Sequence, residues 1–371
     1  MLNWSAPYRI LMGPGPSDVD PDVLKSLSTP LVGHLDPSFL DLMNKLKVLL
    51  QDAFNTKNEM TLAMSGTGSA GMETLVVNLI EAGDNVVVFE NGLFSQRFAD
   101  AASRVGANVI IIKHVWGQAI TTEQVREVFN SNNKIDFVFM VHSETSTGVM
   151  QPLKEIGEVV RANNALFLVD MVTSLGGIPC NVDENLVDAA FSGTQKCLSV
   201  PPGLAPVTMN DRAVNKLMSR KTQVLSWYFD LTMIQKYWGE ERFYHHTAPI
   251  SMVYALYTAL EKLKAEGFEN VYKRHAKYGS ELQNGIQKLG LNLVVKDNEH
   301  RLPQLTSIEI PQGIDDVTFR KRLLSEYGIE IGGGLGDLKG KVWRVGLMGV
   351  NARKSNVALL LSAFEELLIK K

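Results

Sequence analysis

Ala165-Leu166-Phe167-Leu168-Val169-Asp170 is an unbroken apolar run that ends in a carboxylate, and Ser192-Gly193-Thr194-Gln195-Lys196 follows it one crossover and one strand further along. Apolar runs without alternation read as strands buried on both faces, as in a mostly parallel sheet. In open α/β sheets ligands bind beyond the carboxyl ends of the strands, so Asp170 stands at a ligand-facing tip. Asp is also a favoured helix cap, and taken alone the two readings of Asp170 weigh equally. A lone lysine after a strand is usually a solvated loop residue. Lys196 and Asp170 reaching one sheet edge is a more specific pattern.

Working outward, strands are expected at Thr61–Met64, Asn85–Glu90, Asn108–His114, Asp136–His142, Asp188–Ser192 and Ala205–Met209, besides Ala165–Asp170. Helical patterns fall between them at Ala70–Ile80, Phe98–Val105, Thr122–Phe129 and Leu153–Arg161. This alternation predicts an open α/β sheet of seven mostly parallel strands. After Asn210 comes a loop-rich stretch with Trp227, Tyr228, Trp238, Tyr244, His245 and His246, then a helix from Ser251 to about Lys264. The remainder reads as a smaller α+β domain with strands near Leu293–Val295, Leu305–Glu309 and Val342–Gly346. The expected division is an N-terminal arm over 1–20, a large domain over 21–266 and a small domain over 267–371.

A second motif, Met64-Ser65-Gly66-Thr67-Gly68-Ser69-Ala70-Gly71-Met72-Glu73, joins an apolar strand to a helix. Small residues let backbone N–H groups approach an anion, and a helix N-terminus favours negative charge. Thr67 and Ser69 add hydroxyls, so the stretch reads as a phosphate cradle. No Gly-Lys-Ser/Thr follows, which excludes a Walker loop. Gly66-Thr67-Gly68-Ser69-Ala70-Gly71 has the Gly-x-Gly-x-x-Gly spacing of the dinucleotide fingerprint, and Glu90 stands near the position of its acidic residue, so a dehydrogenase remains a rival.

A cradle, an amine and a carboxylate together meet the needs of pyridoxal phosphate (PLP). The phosphate needs the cradle, the aldehyde needs an amine, and the pyridine nitrogen needs a carboxylate to stay protonated. A charge-assisted hydrogen bond of that kind contributes roughly 1.5–3 kcal/mol, enough to hold the ring protonated near neutral pH.

These motifs, with Gly13-Pro14-Gly15-Pro16-Ser17, Gly33-His34, Glu144-Thr145-Ser146-Thr147-Gly148, Pro201-Pro202-Gly203, Tyr244–Pro249 and Trp343-Arg344-Val345-Gly346, resemble the class V aminotransferases of PLP fold type I over nearly the whole chain. The likeness is greatest to the alanine–glyoxylate and serine–pyruvate group. The resemblance implies that Lys196 holds the cofactor covalently and that Asp170 pairs with its pyridinium. It places Thr67, Gly68, Ser69 and Gln195 at the phosphate, Thr145 near the phenolic oxygen and Val172 against one ring face. Phe94 stands where many members stack a tryptophan; it offers less area and no indole N–H. Tyr244 and Thr247 match residues that reach the phosphate of a neighbouring subunit, which implies a homodimer with shared sites. Arg344 matches the arginine that takes a substrate carboxylate, a role suited to its planar fork. The backbone of Gly15 and Gly33, with Thr145, is expected to line a small substrate pocket. His34 reads as structural. Gly332-Gly333-Gly334-Leu335-Gly336 reads equally as a mobile loop and as a connector.

The implied reaction is ping-pong transamination from a small amino acid, alanine or serine, to glyoxylate or pyruvate, through a pyridoxamine phosphate form. Serine–glyoxylate, ureidoglycine or 3-hydroxykynurenine transamination, or a PLP lyase, are the alternatives. A cysteine desulfurase needs a mobile nucleophilic cysteine, whereas the only cysteine after Lys196 is its neighbour Cys197, which reads as a small buried residue. The seven histidines show no His-Glu-x-x-His pattern, so no metal site is expected. A net charge of −3 without a basic stripe speaks against nucleic acid. No run reaches the ~18 apolar residues of a membrane span. Two cysteines, no leader pattern over Met1–Ile10 and a Leu-Ile-Lys-Lys end predict a cytoplasmic enzyme.

Overall fold

The computed structural model describes residues 5–369; Met1–Trp4 and Lys370–Lys371, on which part of the leader and C-terminal readings falls, lie outside the described residues. The seven expected strands form one sheet: β1 Met60–Ser65, β2 Asn85–Glu90, β3 Asn108–Lys113, β4 Phe137–Val141, β5 Leu166–Asp170, β6 Ala189–Phe191 and β7 Leu204–Met209. Their order is β1-β7-β6-β5-β4-β2-β3. All pairs are parallel except those of β7, which runs antiparallel to β1 and β6.

Side chains alternate across this sheet because the strand period is two. Val87, Val138, Met140, Phe167 and Val169 pack with the helices Pro37–Phe54, Lys154–Ala162 and Ile250–Glu266. Val86, Phe137, Phe139, Leu166 and Leu168 face the helices Gly68–Leu79 and Leu93–Arg104 on the other side. Strands β4, β5 and β6 are buried along their whole length, which is why they read as continuous apolar runs. Only β3, at the edge, has no buried residue; half of its positions are exposed.

Strands β8 Leu305–Glu309, β9 Gly332–Gly333 and β10 Val342–Gly346 form an antiparallel sheet in the order β8-β10-β9. Its core includes Trp343 stacked on Phe319 (4.0 Å), with Phe364 edge-on to both. The expected strand at Leu293–Val295 is not a strand. It is an isolated bridge, Leu293 to Ile308, flanked by the Val294 to Ser307 and Glu309 to Asn292 backbone bonds, so no ladder continues. The stretch after Asn210 is also less loop-rich than expected. It contains helices Asp211–Met218 and Leu231–Trp238, whose first turns donate N–H bonds to the capping side chains of Asn210 and Asp230.

The N-terminal segment does not stay with the large sheet. Ile10–Leu11 pairs in parallel with Ile329–Glu330, Met12 enters the C-terminal core, and Gly346 N–H donates to the Met12 carbonyl (2.8 Å). From there the chain runs directly to Lys196.

Candidate active site

Asp170 is the last residue of β5. Its backbone carbonyl accepts the His142 N–H beyond β4 (3.0 Å), which fixes it at the sheet's carboxyl edge. The carboxylate is 6% exposed and, among the described residues, accepts one hydrogen bond, from Val172 N–H (2.8 Å). Burial pushes its pKa up to about 7; the Val172 N–H opposes this, Glu144 adds to it and Lys196 opposes it.

Lys196 lies just past β6, buried, with Nζ donating to the Pro14 carbonyl. Burial, then the Arg344 charge, lowers its amine to about 8, against the pull of Cys197, Asp170 and Glu144. Its backbone is tied to the N-terminal segment by Ser17, whose hydroxyl donates to the Lys196 carbonyl (2.7 Å). Gly15 has φ +110°, and a Cβ there would stand 2.5 Å from Lys196 Nζ. Both the conformation and the space therefore require glycine at this position.

Opposite, the helix Gly68–Leu79 starts at the end of β1. Thr67 occupies its N-cap, but the hydroxyl caps no N–H, and Thr67 and Ser69 are exposed. The first N–H groups of a helix have no partner within it. Gly68 and Gly193 approach closely: a Cβ on Gly193 would lie 3.1 Å from Gly68 Cα and 2.8 Å from Gln195 Oε1. That oxygen is buried without a partner. A Cβ on Gly68 would touch Val172 Cγ2 at 3.4 Å. The structure thus brings Thr67, Gly68, Val172, Gln195, Lys196 and Asp170 to one edge. The residues fit PLP: an uncapped helix end with free hydroxyls suits its phosphate, a buried amine its aldehyde, and an under-bonded buried carboxylate its ring nitrogen.

Arg344, on β10, reaches the same edge. Nε donates to the Gly333 carbonyl (2.7 Å) and Nη1 to the Thr145 carbonyl (3.1 Å). Gly333 and its neighbour Gly332 form β9, so this part of the glycine-rich stretch is sheet that positions the arginine. Burial lowers the guanidinium to about 10, with Glu144 acting in the opposite direction. Phe94 opens the helix Leu93–Arg104, half-buried, with Arg97 over its ring at 4.9 Å. Three expected residues are not gathered at Lys196 within this chain. Gly33 is exposed ahead of the helix Pro37–Phe54. Tyr244 and Thr247 are exposed and bonded to each other (3.1 Å), with the His34 ring 4.8 Å from Tyr244.

The sequence reading assigned no role to several groups that the structure places here. Glu144 is fully buried, with Oε1 bonded by Ser146 and Oε2 unpartnered. Asn91 is buried with neither amide atom bonded. Ser65, at the end of β1, bonds His246 Nε2 (2.7 Å); His246 Nδ1 meets His245 Nδ1 (2.8 Å), and His245 Nε2 meets the Trp227 carbonyl (3.1 Å). The available signal was position: each of Ser65, Asn91 and Glu144 lies at or just past the carboxyl end of a sheet strand.

Residues 24–343 match the family model of the class V aminotransferases. This chain belongs to that family. It is 41% identical to the (S)-ureidoglycine–glyoxylate transaminase of Bacillus subtilis (strain 168), over 98% of this chain and 91% of that one. It is 39% identical to the alanine–glyoxylate aminotransferase of Mus musculus, over 98% and 88%. The crystal structure of an alanine–glyoxylate aminotransferase from Nostoc sp. superposes with a TM-score of 0.97 at 46% identity, covering 99% of this chain and 97% of that one. The fold is that of PLP fold type I, the enzyme is an aminotransferase, and its cofactor is PLP. Among the described residues no group of three or more His, Cys, Asp or Glu side chains could hold a metal ion, and no helix is long and apolar enough to cross a membrane.

Proposed function

We propose that this aminotransferase moves the amino group of a small amino acid, alanine or serine, onto glyoxylate, with pyruvate as a further acceptor. The observation that carries the reading is the convergence of Lys196, Asp170 and Arg344 at one buried edge beside the cradle. The relatives named above share glyoxylate in their names and differ in the donor. PLP, when bound, supplies the electron sink that lets a proton leave the substrate's Cα.

The rest is done by the chain. Thr67, Gly68, Ser69 and Gln195 hold the phosphate, Asp170 keeps the ring nitrogen protonated, and Val172 and Phe94 pack the ring. Arg344 takes the substrate carboxylate on its fork, which orients Cα toward Lys196. Lys196 Nζ, lowered to about 8, is partly neutral at cellular pH and moves the Cα proton. Gly15 and Thr145 crowd the substrate from the side of Pro14 and Arg344, which favours a short side chain. One site serving donor and acceptor in turn gives ping-pong kinetics.

Tyr244, Thr247 and Gly33 are assigned to the site of a second copy in a homodimer. Supporting this, Trp227, Tyr228, Phe243 and Tyr244 are exposed together with Leu31 and Leu35, and the rings link Tyr244 to His34 and Tyr228 to His246. Exposed aromatic clusters of this kind mark interfaces. The domain boundary is assigned to Gly267, φ +85°, between helices Ile250–Glu266 and Phe268–Lys288. Free, buried Cys180 and Cys197 support a reducing, cytoplasmic setting.

The second reading, ureidoglycine as donor, is favoured by the 41% identity to the Bacillus subtilis enzyme. The test is the visible spectrum of the PLP-loaded protein after L-alanine, L-serine or ureidoglycine, without oxo acid. Loss of the bound-cofactor band with alanine or serine, regained on adding glyoxylate, is expected. A band that only ureidoglycine discharges would establish the second reading, and a band that no donor discharges would refute both.

A further inference from the structure

Glu144 has no place in the proton transfer or in cofactor capture, yet it is a carboxylate with no exposed surface at the centre of the site. Oε1 takes two hydrogen bonds from one neighbour, Ser146: its N–H (2.9 Å) and its hydroxyl (2.6 Å). The Ser146 hydroxyl oxygen in turn accepts the N–H of Leu93 (3.1 Å), at the amino end of the helix that carries Phe94. Gly92, just before that helix, presses on the carboxylate so closely that a Cβ there would overlap its carbons. The backbone turn closes through Gly148 N–H to the Glu144 carbonyl (2.8 Å), and this turn presents the Thr145 carbonyl to Arg344 Nη1. The turn 144–148, which meets the arginine, and the amino end of the Phe94 helix therefore come together on one carboxylate.

Oε2 is buried and, among the described residues, has no partner that meets hydrogen-bond geometry, although the Phe94 N–H acts on the carboxyl. A buried carboxylate left so under-bonded is costly unless a cation compensates it. Arg344, which meets the neighbouring Thr145 carbonyl, acts on it through charge alone: Nε and Nη1 are spent on backbone carbonyls, and among the described residues no side-chain carboxylate is bonded to the guanidinium. Burial raises the Glu144 carboxyl above its usual range, and the Ser146 bonds, the Phe94 N–H and, last, the Arg344 charge act against that rise; Glu144 in turn is the leading charge that opposes the lowering of the Arg344 guanidinium by burial.

We propose that Glu144 is a positioning residue that sets carboxylate affinity: it is the resident counter-charge of Arg344, with which an incoming substrate carboxylate must share the arginine, and it pins the turn that meets that arginine to the amino end of the Phe94 helix. The inference rests on Arg344 receiving the substrate carboxylate, as proposed above. Its physical consequence has a sign that a purely structural role does not have. A substrate carboxylate entering the site meets one negative charge already there, so removing that charge without changing shape strengthens carboxylate binding. The resident charge thereby keeps affinity for the shared carboxyl group low, which suits a site that must release an oxo acid and admit another in each turnover.

The test is propionate binding, measured calorimetrically on the full chain with and without PLP, for the parent protein, Glu144→Gln and Arg344→Gln. Glutamine keeps an oxygen for the two Ser146 bonds and removes the charge. Glu144→Gln is expected to bind propionate about three- to tenfold tighter, as loss of one nearby like charge predicts. The KM for L-alanine should fall by the same factor, while Arg344→Gln abolishes propionate binding. Unchanged or weaker propionate binding in Glu144→Gln, with binding still lost in Arg344→Gln, overturns the role of Glu144 alone. Propionate binding that survives in Arg344→Gln overturns the assignment of Arg344 and this inference with it.

Discussion

Replacing Asp170 by asparagine should do two opposite things. In the cofactor-free protein the carboxyl holds its proton up to about 7, against an ordinary value of 3.8. Between those values the folded state binds the extra proton, so the contribution of this group is fully present below 3.8 and is lost as pH rises through 7. The interval is about three pH units, which at ~1.36 kcal/mol per unit sets a ceiling near about 4 kcal/mol. Asparagine removes the charge and keeps an oxygen for the Val172 N–H, but its amide N–H groups need partners in a buried site, a cost of about 1–3 kcal/mol. The net expectation is a stabilisation of about 1–3 kcal/mol at about pH 8 and a destabilisation of about 1–3 kcal/mol at about pH 4. With PLP present the sign reverses, because the variant loses a charge-assisted bond of about 1.5–3 kcal/mol to the ring nitrogen, and PLP should bind about 10- to 150-fold more weakly. Urea unfolding of the cofactor-free protein at both pH values, with PLP titration of each variant, reads both effects. A variant that is less stable than the parent at the higher pH, or one that binds PLP within about threefold of it, would refute the reasoning.

Lys196→Ala should lower turnover by at least ~10²–10⁴-fold, the usual worth of a positioned proton carrier. In the parent, kcat should climb roughly tenfold per pH unit below about 8 and level off above it, because the amine, freed once substrate is bound, must be neutral to accept a proton; a flat kcat profile from about pH 6 to 9 would contradict this. Arg344→Lys keeps the charge but loses the fork and its backbone bonds, so KM for the amino donor should rise about 10- to 100-fold, more than kcat falls. His275 uses both ring nitrogens, toward the Val271 carbonyl (2.8 Å) and the Gly349 N–H (3.0 Å), and its pKa is lowered to about 4 by burial. Its contribution is present above 6.5 and is lost as pH falls toward 4; His275→Gln should lose about 1–3 kcal/mol at neutral pH and flatten the acid limb of a denaturation series.

The large sheet was readable because its interior strands lack alternation and end in polar residues, so Asp170 and Lys196 could be put on one edge before any coordinates. The two elements misread have specific causes. Leu293–Val295 is apolar enough for a strand but bridges Ile308 at one residue only, and pairing is a tertiary property that a short apolar run does not encode. The helices Asp211–Met218 and Leu231–Trp238 are short, and the second one's cap, Asp230, directly follows Trp227-Tyr228-Phe229. Within the site, Glu144 was quoted as part of a motif without a role, because its burial depends on Gly92 giving up a side chain more than fifty residues earlier in the chain. Gly33, Tyr244 and Thr247 could be named from resemblance but stand away from Lys196 in the single chain. No local pattern reveals that a residue serves another subunit.

The pairing of Ile10–Leu11 with Ile329–Glu330 carries a consequence for biosynthesis. A ribosome adding roughly 5–20 residues per second needs about 15–60 s to deliver the second strand after the first. For roughly the last 6–24 s of it, once Met209 is made, the sheet, the cradle, Asp170 and Lys196 are all available to fold, while Pro14 and Gly15 still lack the strand that holds Ile10–Leu11. The lysine gains its carbonyl partner, and the arginine its seat, only when the last third of the chain arrives. The order of translation thus makes this active site a late product of its own synthesis, and a chain that stalls early carries a shaped but unlatched pocket.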